Sequence, residues 1–392
     1  MTTSSLAATP AKTTNPITAT RPATVTAKTN DLPDPQFCPA GVIMGDPNCG
    51  PVRSTIGDAI LDVNGRAGTI WIEGGTFSET VTINNMRDLT LRGGVSSGPS
   101  TSTTFIDGLV SIINSFNISL FNLTANKGIA VDNTAGLNLS QVTVTNSTGA
   151  PGLAISNSSA ITLANVSASN VQNGGAGASL WNNSSALTIA NSQFDGNTGQ
   201  GLSVQAHNGD ISLTDVQVND NAQRGADLIV NDPAYRISVS GRDVVSPSQF
   251  NNNGGTGLSI NSGWWGSTAP LAPPVTLTNI EVKNNGDWTG LYVQSAGPIN
   301  IENILASDNH GTGAYLPSGA SVRITNGAFD SNDRTGLQVQ ALGDILVTRI
   351  SASDNRGQGA WLNNCSWNGW YCDGTGTVEV RSSTFAGNHN DG

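Results

Sequence analysis

The chain has 392 residues, 46 of them Gly, with 37% hydrophobic but only 11% charged and 5% aromatic side chains. An ordinary globular domain carries about 25% charged residues and roughly 7% Gly, so this composition excludes a charged coiled coil, and its evenly spread apolar residues exclude wholesale disorder. No run approaches the roughly 20 apolar residues of a membrane-spanning helix. The formal charge of −11 disfavours nucleic acid, anionic lipid and polyanionic substrates such as pectate.

Residues 1–30 contain ten Thr, six Ala, three Pro and two Ser with no helical or strand period, and residues 1–36 therefore read as an extended linker or stalk. Residues 1–12 hold no apolar core of signal-peptide type, so the chain is expected to be a mature fragment of a longer polypeptide. The four cysteines form two close pairs, Cys38 with Cys49 and Cys365 with Cys372. Without His or carboxylate partners at ligand spacing, they predict two disulfide-closed loops and an oxidising compartment. Within residues 37–68, Ile56, Ile60 and Val63 recur at helical spacing behind Ser54, which reads as an N-cap to one short amphipathic helix. From residue 69 to 392 the pattern alternates in strand fashion.

An internal repeat organises that long segment. A Gly leading an alternating apolar run recurs at Gly152, Gly177, Gly201, Gly225, Gly257, Gly290, Gly313, Gly336 and Gly359, in steps of 25, 24, 24, 32, 33, 23, 23 and 23. Four residues earlier stands Asn173, Asn197, Asn221, Asn253, Asn309, Asn332 or Asn355. Between successive Gly lies a second run such as Ile211-Ser-Leu-Thr-Asp-Val216 or Ile345-Leu-Val-Thr-Arg-Ile350. Units this short cannot build their own core, so they must stack, pairing strands with the coils above and below at about 4.8 Å. The fold class expected is an all-β solenoid of parallel coils with about 23–24 residues each. The seven Asn are expected to form a structural ladder, each left-handed at its turn and bonded amide to amide.

The repeat, with the opening Thr55-Ile-Gly-Asp-Ala-Ile and Gly68-Thr-Ile-Trp-Ile-Glu-Gly-Gly-Thr-Phe, resembles the right-handed parallel β-helix proteins of the pectate-lyase-like superfamily over residues 51–392. The resemblance implies a right-handed helix whose first coil is capped by a short helix. It leaves activity open, because that superfamily holds lyases, hydrolases, tailspikes and surface proteins alike. The polygalacturonase-type Gly-His-Gly is absent, since Asn309-His310-Gly311 departs at its first residue.

Two residues past each repeat Gly, an outward column reads Ala154, Ser179, Ser203, Asp227, Ser259, Tyr292, Tyr315, Gln338 and Trp361. Insertions at 261–274 and 363–375 should frame its aromatic end about 19 Å apart, four coil spacings. Nine of the 12 Trp and Tyr lie between Trp264 and Tyr371. Trp264, Trp265, Tyr292, Tyr315, Gln338, Trp361, Trp367, Trp370 and Tyr371 are thus the expected carbohydrate-binding set, because amphipathic rings on a solvent-facing sheet suit the apolar faces of neutral sugars. The alternative is that the loops fold back and bury Tyr292, Tyr315 and Trp361. A second column, His310, Asp333 and Arg356 with Asp287 nearby, supplies candidates for acid–base chemistry at coil spacing, although solvated turn tips carry such charges without function. Asp220, Asp308 and Asp354 beside the ladder could offer oxygen to Ca²⁺ but do not occupy consecutive coils, so no cofactor or metal is expected.

Together these readings predict an extracellular or cell-surface structural or adhesive β-helix that binds a neutral polysaccharide or surface glycan in its C-terminal half. A polysaccharide lyase or hydrolase, and a self-assembling filament or surface-layer subunit, are the alternatives. Residues 385–392 stop on a repeat turn without its next strand, so the solenoid is expected to be cut in mid-course there, open to head-to-tail association.

Overall fold

The structure, a computed structural model, describes residues 35–43, 46–95, 103–147, 149–263, 272–286, 288–365 and 376–390. The expected linker falls outside them up to residue 34. The helix Ile56–Val63 buries Ile56, Ala59, Ile60 and Val63 on one face. Its N-cap is Thr55 and not Ser54: the Thr55 hydroxyl accepts from the Asp58 N–H at 3.0 Å. The Ile56 and Gly57 N–H groups, which the Thr55 hydroxyl does not take, donate to the Glu79 carboxylate at 2.8 and 3.0 Å, so a residue from the first coil holds the helix end. The strand Gln36–Pro39, tied by the Cys38–Cys49 disulfide, runs antiparallel to Gly68–Glu73 and covers the edge of the first coil. Cys365 is also disulfide-bonded, and its expected partner Cys372 lies outside the described residues.

Each later coil holds three strand segments, one on each of three parallel sheets. Leu337–Ala341 represents the first sheet, and Ile345–Ser351 supplies the second and third by bending at Arg349, which is left-handed with φ 53°. Asn279, Asn303 and Asn326 turn the same corner in the preceding coils at φ 55–56°, a conformation that short polar side chains tolerate best. Register is strict. Leu337 pairs with Ala314 below and Ala360 above, and Ile345 pairs with Val322 and Val378. Alternation turns every second residue inward, so Leu337, Val339, Ile345, Val347, Ile350 and Ala352 are all buried in one coil and stack on equivalents above and below. At the last coil, Val378 and Val380 point the same way but remain 44% exposed, because no described strand covers them.

The Asn ladder exists, with amendments. Each rung donates from Nδ2 to the next Oδ1: Asn197 to Asn221, Asn221 to Asn253, Asn253 to Asn285, Asn285 to Asn309, and on through Asn332 and Asn355 to Asn388, at 2.9–3.1 Å. The same Oδ1 accepts the backbone N–H of the rung below, as Asn332 Oδ1 does from Asn309 at 3.0 Å. Asn285 joins the ladder although it stands five residues before Gly290, one further than Asn253 or Asn309 stands from its Gly. Asn173 does not join. It is exposed, and in its coil buried Val171 takes the rung and donates its N–H to Asn197 Oδ1. Nor are the rungs left-handed; that conformation falls on the residue before each, including Asp220, Asn252, Asn284, Asp308, Ser331 and Asp354. The turn places its positive φ where a side chain can face solvent, leaving the buried amide free to bond along the axis.

The repeat Gly now has a reason. A Cβ on Gly313 would lie 2.6 Å from Asn332 Nδ2, and on Gly336 the same distance from Asn355 Nδ2. Gly and Asn recur together because each coil's Gly makes room for the next coil's Asn.

Candidate functional site

On the first sheet the outward column runs in the expected order. Ala154, Ser179, Ser203, Asp227, Ser259, Tyr292, Tyr315, Gln338 and Trp361 are each paired with the next across parallel strands. Tyr292, Tyr315, Gln338 and Trp361 are half-buried. The two tyrosines do not form a flat row. Their rings, 5.7 Å apart between centroids, are tilted by 57°, as the ring quadrupoles favour over face-to-face contact. Tyr292 is fixed by its hydroxyl, which donates to Gln294 Oε1 at 2.7 Å. Burial raises both phenol pKa values, and at Tyr292 the neighbouring Tyr315 adds to the rise, so both rings stay neutral hydrogen-bonding groups at ordinary pH.

Where small outward residues give way to aromatic ones, the surface dips into a groove of about 800 Å³. Its floor is four successive members of the column: Asp227, Ser259, Tyr292 and Tyr315. Trp288, 72% exposed, stands at its wall beside Arg224. Arg224 Nη1 lies 3.4 Å from Asp227 Oδ2, so the one carboxylate and the one cation among the groove's described lining residues are paired with each other. The arrangement can stack an apolar ring face on Tyr or Trp and bond its edge through Ser259, Asn261 and the Arg224–Asp227 pair. Of the expected set, Tyr292, Tyr315, Gln338 and Trp361 share the column, and Tyr292 and Tyr315 line the groove, which Arg224 and Trp288 reach from turns outside the column. Trp264, Trp265, Trp367, Trp370 and Tyr371 lie outside the described residues.

The turn-tip column is also in register. His310, Asp333 and Arg356 donate their backbone N–H groups to Asn285, Asn309 and Asn332 in turn, and Arg356 Nη1 sits 3.1 Å from Asp333 Oδ1. The Arg356 side chain is 75% exposed. Asp287, the second carboxylate that hydrolysis would draw on, lies outside the described residues. Asp220, Asp308 and Asp354 occupy the left-handed turn position, and Lys283 Nζ approaches Asp308 at 3.9 Å. Among the described residues no three His, Cys, Asp or Glu gather to hold a metal ion. No helix of the described residues is long and apolar enough to cross a membrane.

A family model described as a right handed beta helix region matches residues 107–263 and 234–392. The chain belongs to the right-handed β-helix family. Comparison with curated protein sequences gives no match. Among solved structures, the β-helix is similar to the A-module of mannuronan C-5 epimerase AlgE4 from Azotobacter vinelandii, with 12% identity, a TM-score of 0.49, and coverage of 86% of this chain and 90% of that one. It is also similar to the surface protein and adhesin PfbA of Streptococcus pneumoniae, with 12% identity, a TM-score of 0.37, and coverage of 86% and 94%. With pectate lyase Pel9A it shares 14% identity at a TM-score of 0.38, over 81% and 77% of the two chains. Identities this low speak for the fold alone.

Proposed function

We propose that this β-helix is an extracellular or cell-surface adhesive protein that binds a neutral glycan in the first-sheet groove. The observation that carries the reading is the union of Asp227, Ser259, Tyr292 and Tyr315 on one groove floor beneath exposed Trp288. Exposed aromatic surface is costly in water unless a partner covers it, and tilted rings with polar edges suit the mixed faces of a sugar. The internal Arg224–Asp227 pair leaves the groove no net charge among its described lining residues, which favours a neutral ligand over a uronate. The Cys38–Cys49 disulfide supports an oxidising location. Binding without turnover is favoured over hydrolysis because Asp227 is the one carboxylate among those lining residues, whereas a glycosidase uses two at about 5–9 Å.

The test is a glycan array followed by calorimetry on the best hit, with a reducing-end and unsaturated-product assay on the same sample. Tyr292→Ala and Tyr315→Ala should each weaken binding by about 1–3 kcal/mol, and Ser179→Ala, on the same column four coils before Tyr292, should leave it unchanged. Equal affinity in the tyrosine variants and the Ser179 variant would remove the groove from the function. Product release lost in Asp227→Asn would replace adhesion with catalysis.

A further inference from the structure

The 32-residue step from Gly225 to Gly257 has a separate cause from the framing insertions. Six of its eight extra residues fall within 241–247, between the strand Ile237–Ser240 on the second sheet and Ser248–Gln249 on the third. They form a tight turn whose shape Asp243 dictates: its Oδ1 accepts the Val245 and Ser246 N–H groups at 2.9 and 2.8 Å, while Arg242 N–H donates to Ser246 O at 3.1 Å. The base is pinned by Arg242 Nη2 against Asp215 Oδ2 at 3.3 Å. This rigid turn lifts Val245 into water, 85% exposed.

Opposite the turn, the third sheet presents Gln193, Gln217 and Gln249 in register on consecutive coils. Gln193 Nε2 donates to Gln217 Oε1 at 3.1 Å. The Gln217 Nε2 group and the whole Gln249 amide make no side-chain hydrogen bond to the described residues, although both residues are half-buried. Turn and column together enclose a groove of about 600 Å³, with Val245 and Pro247 on one wall. A carboxamide offers a donor and an acceptor side by side, and a hydroxyl group is both, so stacked amides match neighbouring hydroxyls on one ring. The apolar wall suits the C–H face of that ring, and the one ion pair present is internally neutralised.

We infer that this third-sheet groove is a second binding site, for a neutral polyhydroxylated ring such as a hexose or pentose unit, and that it works independently of the tyrosine groove on the first sheet. Two sites on different faces of overlapping stretches of the solenoid would let one molecule hold two glycan strands.

The experiment follows the glutamine side-chain amide signals of the full chain, labelled with ¹⁵N-glutamine and assigned with Gln217→Ala and Gln249→Ala. Cellohexaose, xylohexaose, mannohexaose and galactohexaose are titrated separately to about 10 mM, enough to saturate even a Kd near 1 mM. At least one should shift Gln217 and Gln249 saturably, the shifts should persist in Tyr292→Ala/Tyr315→Ala, and Val245→Asp should weaken them about tenfold. Silence at both amides with all four sugars, or shifts that vanish in the tyrosine variant, overturns the inference. Because the tyrosine groove is read separately through its own variants, failure at one site leaves the other standing.

Discussion

Replacing Asn309 by Ala tests the logic of the whole solenoid. Its Nδ2 donates to Asn332 Oδ1, Val282 O and Ser307 O, each at 3.1 Å, and its Oδ1 accepts from both Asn285 N and Asn285 Nδ2 at 3.1 Å. Ala leaves the Asn285 N–H and the Val282 carbonyl buried without those partners, while Asn332 Oδ1 still accepts from the residue 309 backbone. At about 1–3 kcal/mol for each group so stranded, the loss is roughly 2–6 kcal/mol, a large part of the roughly 5–15 kcal/mol that holds a domain together. Asn173→Gly is the control: the residue has the same place in the sequence repeat but is exposed, off the ladder and left-handed at φ 57°, a conformation glycine adopts without strain, so the change should cost no more than about 0.5 kcal/mol. Because stacked repeats depart from two-state unfolding, the assay pairs thermal melting with hydrogen exchange at the amides of residues 285 and 309. Indistinguishable melting and exchange in the two variants would refute the claim that the ladder, and not the apolar stack alone, sets coil-to-coil cohesion.

Gly313→Ala should destabilise by about 1–3 kcal/mol, since its Cβ would meet Gly336 O at 2.5 Å and Asn332 Nδ2 at 2.6 Å, whereas Gly50→Ala, with its nearest neighbour at 3.5 Å, should be tolerated in melting experiments. Burial raises the carboxyl pKa of Asp195 and of Glu79. A raised folded-state pKa means that their contribution is fully present at low pH and is lost as pH rises from the ordinary values of 3.8 and 4.5 upward. Asp195→Asn should therefore gain on the wild type as pH rises above 3.8 in a melting series, and a constant difference counts against the reasoning. Asp132 runs the other way: bonds from Asn157 and Ser156 lower its pKa, so its contribution is lost as pH falls through the carboxylate range, and Asp132→Asn should narrow its deficit there.

Much of this fold could be read from spacing, because a solenoid writes its geometry into the sequence as a period. The outward column emerged in full once the repeat Gly was fixed, since strand alternation leaves no freedom two residues later. Where the period slipped, so did the reading. One extra residue before Gly290 hid Asn285, and the coil containing Asn173 moves its rung back to Val171. Gln193, Gln217 and Gln249 each stand four residues before a rung Asn, a regularity present in the sequence but carried on segments too short to register as strands. The walls of both grooves were less legible. Arg224, Trp288 and Val245 arrive from turns, whose path depends on local hydrogen bonds such as those of Asp243 and not on any period.

The ladder also has a mechanical meaning. Strands lie across the long axis, so the bonds joining one coil to the next, backbone and amide alike, point along it. Tension transmitted through the chain would peel a coil one bond at a time, yet each rung's Oδ1 also receives the N–H of the coil below, so releasing one coil unseals its neighbour only at that interface. A 23-residue turn such as that from Gly313 to Gly336 would pay out roughly 75 Å of extended chain when it lets go. The molecule would then yield under load as a ratchet of equal lengths, absorbing a pull and recovering between pulls, and a force-extension record with one all-or-none rupture instead of repeated steps of that size would show the coils to be mechanically fused.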